Sequence, residues 1–330
     1  GVHYIGEVHK PHSTLRRLFD VISDGALKWA PMDPVYDRII IGDRRVNFTA
    51  GRGALADNLI AQFSAEEAAI RHYIELIDET AGAAQKFFAG QAMPRWLGRT
   101  YQAARPMLVP KNCFRSVREV LEELTQDQEL IGVLTGQWGD YGMVPRDASF
   151  LMHATVVKHY FGGGSYPVGG SWMIPDTIVP VIRAGGGEVF TYAKVEEIVI
   201  EQGRATGVRM ANGDILRADQ IVSAAGARVT YEQLLPKALR ESLGYPAKLK
   251  QVKTSGAHLC IYAGFKGTAA ELGLPRTNLW IYPNEHHEAN VDAFQADVNA
   301  PFPMLYVSFP SAKDPDWDSN YPGKSTVEVL

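Results

Sequence analysis

Cysteine is nearly absent from this chain: its 330 residues hold two, Cys113 and Cys260. Two are too few for a disulfide framework. Both sit in apolar surroundings and read as buried thiols of a reducing, cytoplasmic compartment, with a disulfide between them as the alternative. An excess of positive charge is lacking too. The net charge is 33 − 37 = −4, which gives a nucleic-acid partner no electrostatic support. No run reaches the roughly 18 uninterrupted apolar residues of a spanning helix, and no basic amphipathic helix stands out. The sequence contains no HExxH, CxxC or GxSxG, so neither a metal centre nor a serine nucleophile has a motif behind it. His9, His12, His286 and His287 accordingly read as loop or surface histidines. No internal repeat or low-complexity tract occurs. The chain opens on Gly1 rather than Met, so a missing leader says nothing about location. Both ends read as cut: GVHYIG has no element before it to pack on, and STVEVL is a strand that stops in mid-pattern.

What is present is ordinary globular material, 46% apolar and 21% charged, enough for about two domains. The half before Tyr166 is mainly helical. Ser13 is an N-cap for a helix over 14–24, and Ser64 with Glu67 is a capping box for a long helix to about Phe88. Ser116 with Glu119 repeats that device, and further helices fit 127–134 and 148–161. A hairpin turns at Gly42-Asp43. After Tyr166 the period changes. A helix fits 171–184, kinked at Pro180 and stopped by glycines. Residues 188–191 read as a short strand, 195–201, 205–210 and 215–218 as a meander, and 220–223 as a returning strand. Asn212-Gly213 carries the signal of a type I′ turn. Later strands fit 258–265, 278–282 and 304–308.

The chemistry-bearing stretch runs from Tyr166 to Ala227. Gly169 and Gly170 open a helix, where backbone can approach a ligand closely and negative charge is favoured. Taken alone, the glycines of the run from Gly169 to Gly187 read as a tight loop–helix turn and a C-cap. In sequence with Val195, the meander and Ser223-Ala224-Ala225-Gly226, they suit a backbone lying against a flat dinucleotide. Val195 is either a core strand residue or a strand edge offering its N–H and C=O to an adenine. Ala224, Ala225 and Gly226 are either a plain strand-to-loop turn or small residues that let a cofactor rest at a sheet's carboxyl end. Gly51-Arg52-Gly53-Ala54-Leu55-Ala56 matches GxGxxA by letters, but it follows a polar hairpin and lacks the acidic partner, so it reads as a helix entry. His3, Tyr4, Trp138, Tyr141 and Tyr166 are aromatic residues close to glycines. They suit either ordinary packing or contact with a flat ring or polyene.

In their order, HYIG, GQWGDYG, SFLMHATVVKHY, GGGSYPVGGS, GGGEV and VSAAG resemble the flavin-dependent retinol saturase and carotenoid isomerase family. That family is a branch of the phytoene desaturase and amine oxidase superfamily, and the resemblance covers nearly the whole chain. It implies a mixed α/β fold: a Rossmann-like FAD-binding sheet with an inserted substrate domain, the glutathione-reductase-like flavoprotein architecture, incomplete here. It divides the chain into a flavin-contacting loop with the start of the substrate region (1–50), a mainly helical substrate domain (51–165), a central FAD-domain segment (166–230) and a strand-rich substrate segment (231–330). It implies FAD as cofactor, with Val195 at the adenine, Ala224, Ala225 and Gly226 near the ribose and pyrophosphate, His3 and Tyr4 beside the flavin ring, and Gly169 and Gly170 starting the helix that borders the flavin and substrate cavity. The N-terminal glycine-rich βαβ and a C-terminal flavin-contacting segment are absent from the sequence. The implied reaction is redox chemistry at a carbon–carbon double bond of a lipophilic isoprenoid, as saturase, desaturase or isomerase. His3 and Tyr141 are the candidate proton-transfer residues. Amine oxidation on the same scaffold is the alternative, and a non-catalytic lipid-binding module that has lost its flavin site is the third reading. A lipophilic substrate also leads to the expectation of peripheral contact with a membrane.

Overall fold

A largely apolar run in Val35–Ile41 and an alternating one in Arg44–Thr49 form a hairpin, β3 and β4, across Gly42-Asp43. The computed structural model describes residues 4–244, 247, 249–252 and 255–330. Before this hairpin come β1 (Ile5–Gly6), helix α1 (Thr14–Ile22, capped by Ser13) and β2 (Trp29–Pro31). After it come α2 (Arg52–Gln62), α3 (Glu67–Gly82), α4 (Ala84–Phe88), α5 (Arg95–Leu108), α6 (Val117–Leu124), α7 (Gln128–Leu134) and α8 (Phe150–His159). Then follow β5 (Gly164–Pro167), α9 (Met173–Ala184) and the meander β6 (Val195–Glu201), β7 (Arg204–Met210) and β8 (Ile215–Arg217). Strands β9 (Ile261–Lys266), β10 (Asn278–Tyr282), β11 (Leu305–Ser308) and β12 (Lys324–Val329) follow, and Lys237–Leu243 and His287–Ala296 are helical.

The chain divides into two units, Gly1–Val181 with Gly256–Leu330, and Ile182–Ser255. The larger holds a six-stranded sheet in the order β4-β3-β10-β11-β12-β9, in which β3 and β10 run parallel and the other neighbours antiparallel. Its main core joins Ile39, Val46 and Phe48 of the sheet to Leu59, Ile70, Ile77, Val117, Leu130 and Phe150 of the helices. A second sheet, β1-β5-β2, is antiparallel. Gly6 is compulsory there: a Cβ would stand 1.8 Å from the His159 carbonyl oxygen. Its absence lets β1 close on the end of α8, where Gly6 N–H donates to His159 Nε2 at 2.7 Å. The smaller unit carries the antiparallel sheet β6-β7-β8.

Several expectations need correction. Ser64 makes no side-chain cap; Ser64–Glu66 is a 3₁₀ turn, and the long helix breaks at Ala83. Ser116 and Glu119 do form both halves of a capping box. Residues 188–191 and 220–223 are not strands. A strand needs a partner for its backbone groups, and neither segment has one among the described residues; Phe190 and Val222 are exposed. The type I′ geometry falls at Gln202-Gly203, where both φ are positive (50° and 77°), in the two-residue β6–β7 loop. At Asn212-Gly213 only the glycine has positive φ, 91°. Gly213 N–H there donates to Met210 C=O, and Met210 N–H to Asp214 C=O, the pattern of a three-residue loop. Cys260 is exposed, and only Cys113 is buried; both thiols are free. His287 is buried at the start of a helix, with Nε2 2.9 Å from the Gly132 carbonyl oxygen. Finally, α5 is a basic amphipathic helix, with arginines at 95, 99 and 105 and exposed Trp96, Leu97, Met107 and Leu108.

Candidate active site

Strand β3 interrupts its apolar run with Asp37, fully buried. An isolated carboxylate there would be very costly, and the structure supplies four donors. Tyr4 O–H (2.8 Å), Gln137 Nε2 (2.7 Å) and Trp280 Nε1 (3.1 Å) donate to Oδ2, and Asn278 Nδ2 (2.8 Å) to Oδ1. Burial pushes the Asp37 carboxyl up, and these hydrogen bonds, Asn278's foremost, oppose it. The parallel register of β3 and β10 sets Asn278 opposite Asp37. The Asn278 amide then bridges to a second buried charge: its oxygen accepts from Lys313 Nζ, which also donates to Ser308 Oγ at 2.5 Å. Burial pushes the Lys313 ammonium down to about 7, while Asp37 and then Glu328 pull it the other way. The network is therefore a carboxylate and an ammonium joined through one amide.

Two of the groups that hold Asp37 also face open space. Tyr4 and Trp280, with Gly139, Asp140, Met304 and Tyr306, line a cavity of about 70 Å³. The exposed His258 lies at its edge. Asp140 lines this cavity and also a larger one of about 530 Å³, bordered by Gly6, Leu15, Val156, His159 and Tyr160. The Tyr4 ring stacks on Tyr160, centroids 4.9 Å apart, and lies near-parallel to Tyr306 at 6.4 Å. Burial, then Asp140 and Asp37, push the Tyr4 hydroxyl well up, so it stays a donor at neutral pH. Besides Tyr4 and Tyr306, Asp140 and His258 border the small cavity.

The expected site residues fall in separate places. His3 lies outside the described residues. Tyr141 borders neither of those cavities; its hydroxyl is 3.1 Å from His153 Nδ1, whose Nε2 is 2.8 Å from the Tyr73 hydroxyl. Burial holds His153 near 3, so the imidazole is neutral. Gly169 and Gly170 adopt φ of 86° and 95°, and Gly169 borders a third cavity of about 560 Å³ with Trp172, Met173 and Tyr321. Gly169 N–H donates to Asp314 Oδ1 at 2.9 Å. Neighbouring residues thus serve two regions: Asp314 holds Gly169, and Lys313 Nζ lies 5.8 Å from both the Tyr4 and Tyr166 ring centroids. The sequence reading missed Asp37, Asn278, Lys313, Asp314 and Asp140. Only Asp37, a charge inside VYDRIII, left a visible signal.

On the smaller unit, Val195 begins β6, an edge strand of its sheet. Ala224, Ala225 and Gly226 are exposed, with Gly226 at φ 86° and nothing within 4 Å of where its Cβ would stand. The residues present therefore fit a flat group laid along bare backbone. Among the described residues no cluster of three or more His, Cys, Asp or Glu could hold a metal ion, and no helix is long and apolar enough to cross a membrane.

The flavin-containing amine oxidoreductase family matches residues 114–297, more than half of the chain. The all-trans-retinol 13,14-reductase of Danio rerio is 35% identical over 100% of this chain and 57% of its own length. A phytoene desaturase of Neurospora crassa is 29% identical over 53% of this chain and 30% of its own. The crystal structure of an oxidoreductase from Methanosarcina mazei aligns with 100% of this chain and 66% of its own at 15% identity, with a TM-score of 0.62, a likeness of fold. The chain spans little more than half the length of the retinol reductase it matches.

Proposed function

We propose, for a chain that belongs to the flavin-containing amine oxidoreductase family, an FAD-dependent oxidoreductase that acts on carbon–carbon double bonds of a lipophilic isoprenoid. The observation that carries this reading is the aromatic-walled cavity whose Tyr4 and Trp280 are fixed by one buried carboxylate. At about 70 Å³ the cavity is well below the roughly 300 Å³ of a site for a whole small molecule, so its walls suit one edge or end of a flat, conjugated substrate, and their fixed position supplies orientation and exclusion of water. The names of the retinol reductase and phytoene desaturase relatives support the substrate class.

When bound, FAD would supply the two-electron chemistry. On the larger unit, Tyr4, Gly169 and Gly170 are assigned to the flavin side, and the HYIG motif assigns His3 the same role. On the smaller unit, Val195 is assigned to the adenine, and Ala224, Ala225 and Gly226 to the ribose and pyrophosphate. Reducing a double bond also requires a proton at the second carbon. Asp140 and His258, at the cavity border, can hold one there. Tyr141, earlier the candidate for that task, is assigned a positioning role through His153. Two free thiols agree with a reducing compartment such as the cytoplasm.

Amine oxidation remains the second reading because the rings of Tyr4, Trp280 and Tyr306 that wall the small cavity would also cage a neutral amine. The test uses the full-length protein. A flavin absorbance spectrum that survives gel filtration, and product analysis with retinoids and carotenes, should reveal saturation, desaturation or isomerisation. Peroxide released from amines, with the polyenes untouched, would sink the leading reading in favour of the second. A protein that never retains flavin would sink both and leave the non-catalytic lipid-binding module. Gly226→Val, which forces a branched side chain to positive φ on bare backbone, should weaken flavin retention at least tenfold.

A further inference from the structure

Residues 80–118 contain seven lysines and arginines and no aspartate or glutamate, in a chain whose net charge is −4. Arg115 and Arg118 are neutralised by Glu123 and Glu288, and Arg105 stacks over Phe87 at 4.1 Å. Lys86, Arg95, Arg99 and Lys111 make no ion pair among the described residues. Helix α5 lies inside this segment, and Gly98 is its one buried residue. A Cβ on Gly98 would stand 2.5 Å from the Gly90 carbonyl oxygen, so the helix is held to the protein along this narrow seam.

The remainder of α5 is sorted by face. At about 100° per residue, Trp96, Ala103 and Met107 share one side, continued by Leu97, Ala104 and Leu108. Gly98 lies away from this face, with Arg95 and Arg99 along one border of the apolar arc and Arg105 beyond the other. The apolar arc points outward: Trp96 is 73% and Met107 88% exposed, and Leu97 and Leu108 are exposed with them. An outward apolar face rimmed by unpaired arginines is the composition of a helix that lies in a membrane interface. It is the reverse of a soluble protein's helix, whose apolar stripe faces the core.

We infer that α5, with the acid-free segment around it, docks on the anionic surface of a lipid bilayer, Trp96 and Met107 entering the headgroup boundary and Arg95 and Arg99 contacting lipid phosphates. Charge complementarity selects this occupant: a segment with no carboxylate of its own, whose Arg95 and Arg99 are unpaired beside the apolar face, matches a negative surface. The inference deepens the reading of a lipophilic substrate by assigning the surface on which such a substrate would be met, but it rests on α5 alone.

The test is vesicle co-sedimentation of the full-length protein on phosphatidylcholine with and without phosphatidylserine, free of any polyene. Binding to the serine-containing vesicles, lost at high salt, is expected, with tryptophan emission quenched by bromine-labelled acyl chains. Trp96→Ser should abolish that quenching. Arg95→Gln with Arg99→Gln should lower the partition coefficient about 25-fold, roughly fivefold per arginine, while the flavin spectrum stays unchanged. Equal partition of the arginine variant and the parent would overturn the inference. So would shielding of Trp96 from an aqueous quencher in the absence of vesicles, which would mean another segment covers the face. A dimer that Trp96→Ser converts to monomer with vesicle binding intact would likewise assign the face to a second copy. No redox step enters these readouts, so their failure leaves the flavin reading standing, and loss of flavin leaves them interpretable.

Discussion

An Asp37→Asn substitution keeps the shape of the side chain and removes its charge, and the surrounding donors then have no satisfactory arrangement. Oδ2 receives Tyr4, Gln137 and Trp280, while Oδ1 receives Asn278. If the new amide oxygen takes the Oδ2 place, its NH₂ meets the NH₂ of Asn278. Turning Asn278 over moves the conflict onto Lys313, whose ammonium needs the Asn278 oxygen. The ammonium also loses the first of the two carboxylates that favour its charge. Breaking one side of a buried charge pair costs about 3–5 kcal/mol, and the intervening amide and Ser308 place the expected loss near the lower end at pH 6. The pH dependence identifies the cause. Lys313 is held down to about 7 in the folded protein, against roughly 10.4 when unfolded. Between those values the unfolded chain binds the extra proton, so in the parent this group makes stability rise with pH above about 7 and leaves it flat below. Without Asp37 the folded value falls further. The variant therefore loses most at pH 6 and least at pH 9, where Lys313 is neutral in both proteins and about 1–3 kcal/mol remains for the mismatched donors. Urea unfolding of the full-length protein at the two pH values measures this. Losses of equal size at both would refute the coupling of Asp37 to Lys313.

Three further outcomes follow from the same geometry. His153→Phe leaves the Tyr73 and Tyr141 hydroxyls without their shared partner and should cost about 2–4 kcal/mol in thermal unfolding. Because His153 is held near 3 when folded and unfolded histidine titrates near 6.5, the parent loses stability as pH falls from about 6.5 toward 3, and the variant's acid profile should be flatter by one proton. Gly139→Ala would put a Cβ 2.7 Å from Trp280 Cζ3 and 3.0 Å from Met304 Cε; a polyene substrate should bind more weakly while the flavin spectrum is preserved, and unchanged binding would remove the small cavity from the substrate path. Gly6→Ala drives a methyl into the His159 carbonyl and should cost about 3 kcal/mol, at the upper end of overpacking, with Tyr4 displaced; near-UV circular dichroism reports that displacement.

Signals confined to a few neighbouring residues were legible in the sequence. The Ser116–Glu119 capping box, the Ser13 cap, the Gly42-Asp43 hairpin and the helix entry at Gly51 depend on groups within one turn of each other, and they formed where expected. The motif order was also sufficient for the family. Failures came where the outcome depends on a distant partner. Residues 188–191 and 220–223 have strand composition, yet a strand exists only when another backbone lies beside it. His287 and Cys260 exchanged the environments expected of them because burial is set by what packs above a residue, which its neighbours in sequence do not specify.

By itself, then, the sequence determined the family and the elements fixed within one turn of chain, such as the Ser116–Glu119 capping box and the hairpin at Gly42-Asp43. The tertiary structure decided the site. Asp37, Asn278 and Lys313 are separated by hundreds of residues in part, and only the parallel pairing of β3 with β10 and the turn after β11 bring them into one network. Their chemistry follows from desolvation, which shifts a carboxyl and an ammonium in opposite senses only once the surrounding core has excluded water. The outward face of α5 was decided in the same way: the close approach of Gly98 to Gly90 turns that side of the helix inward and leaves Trp96 and Met107 in the open.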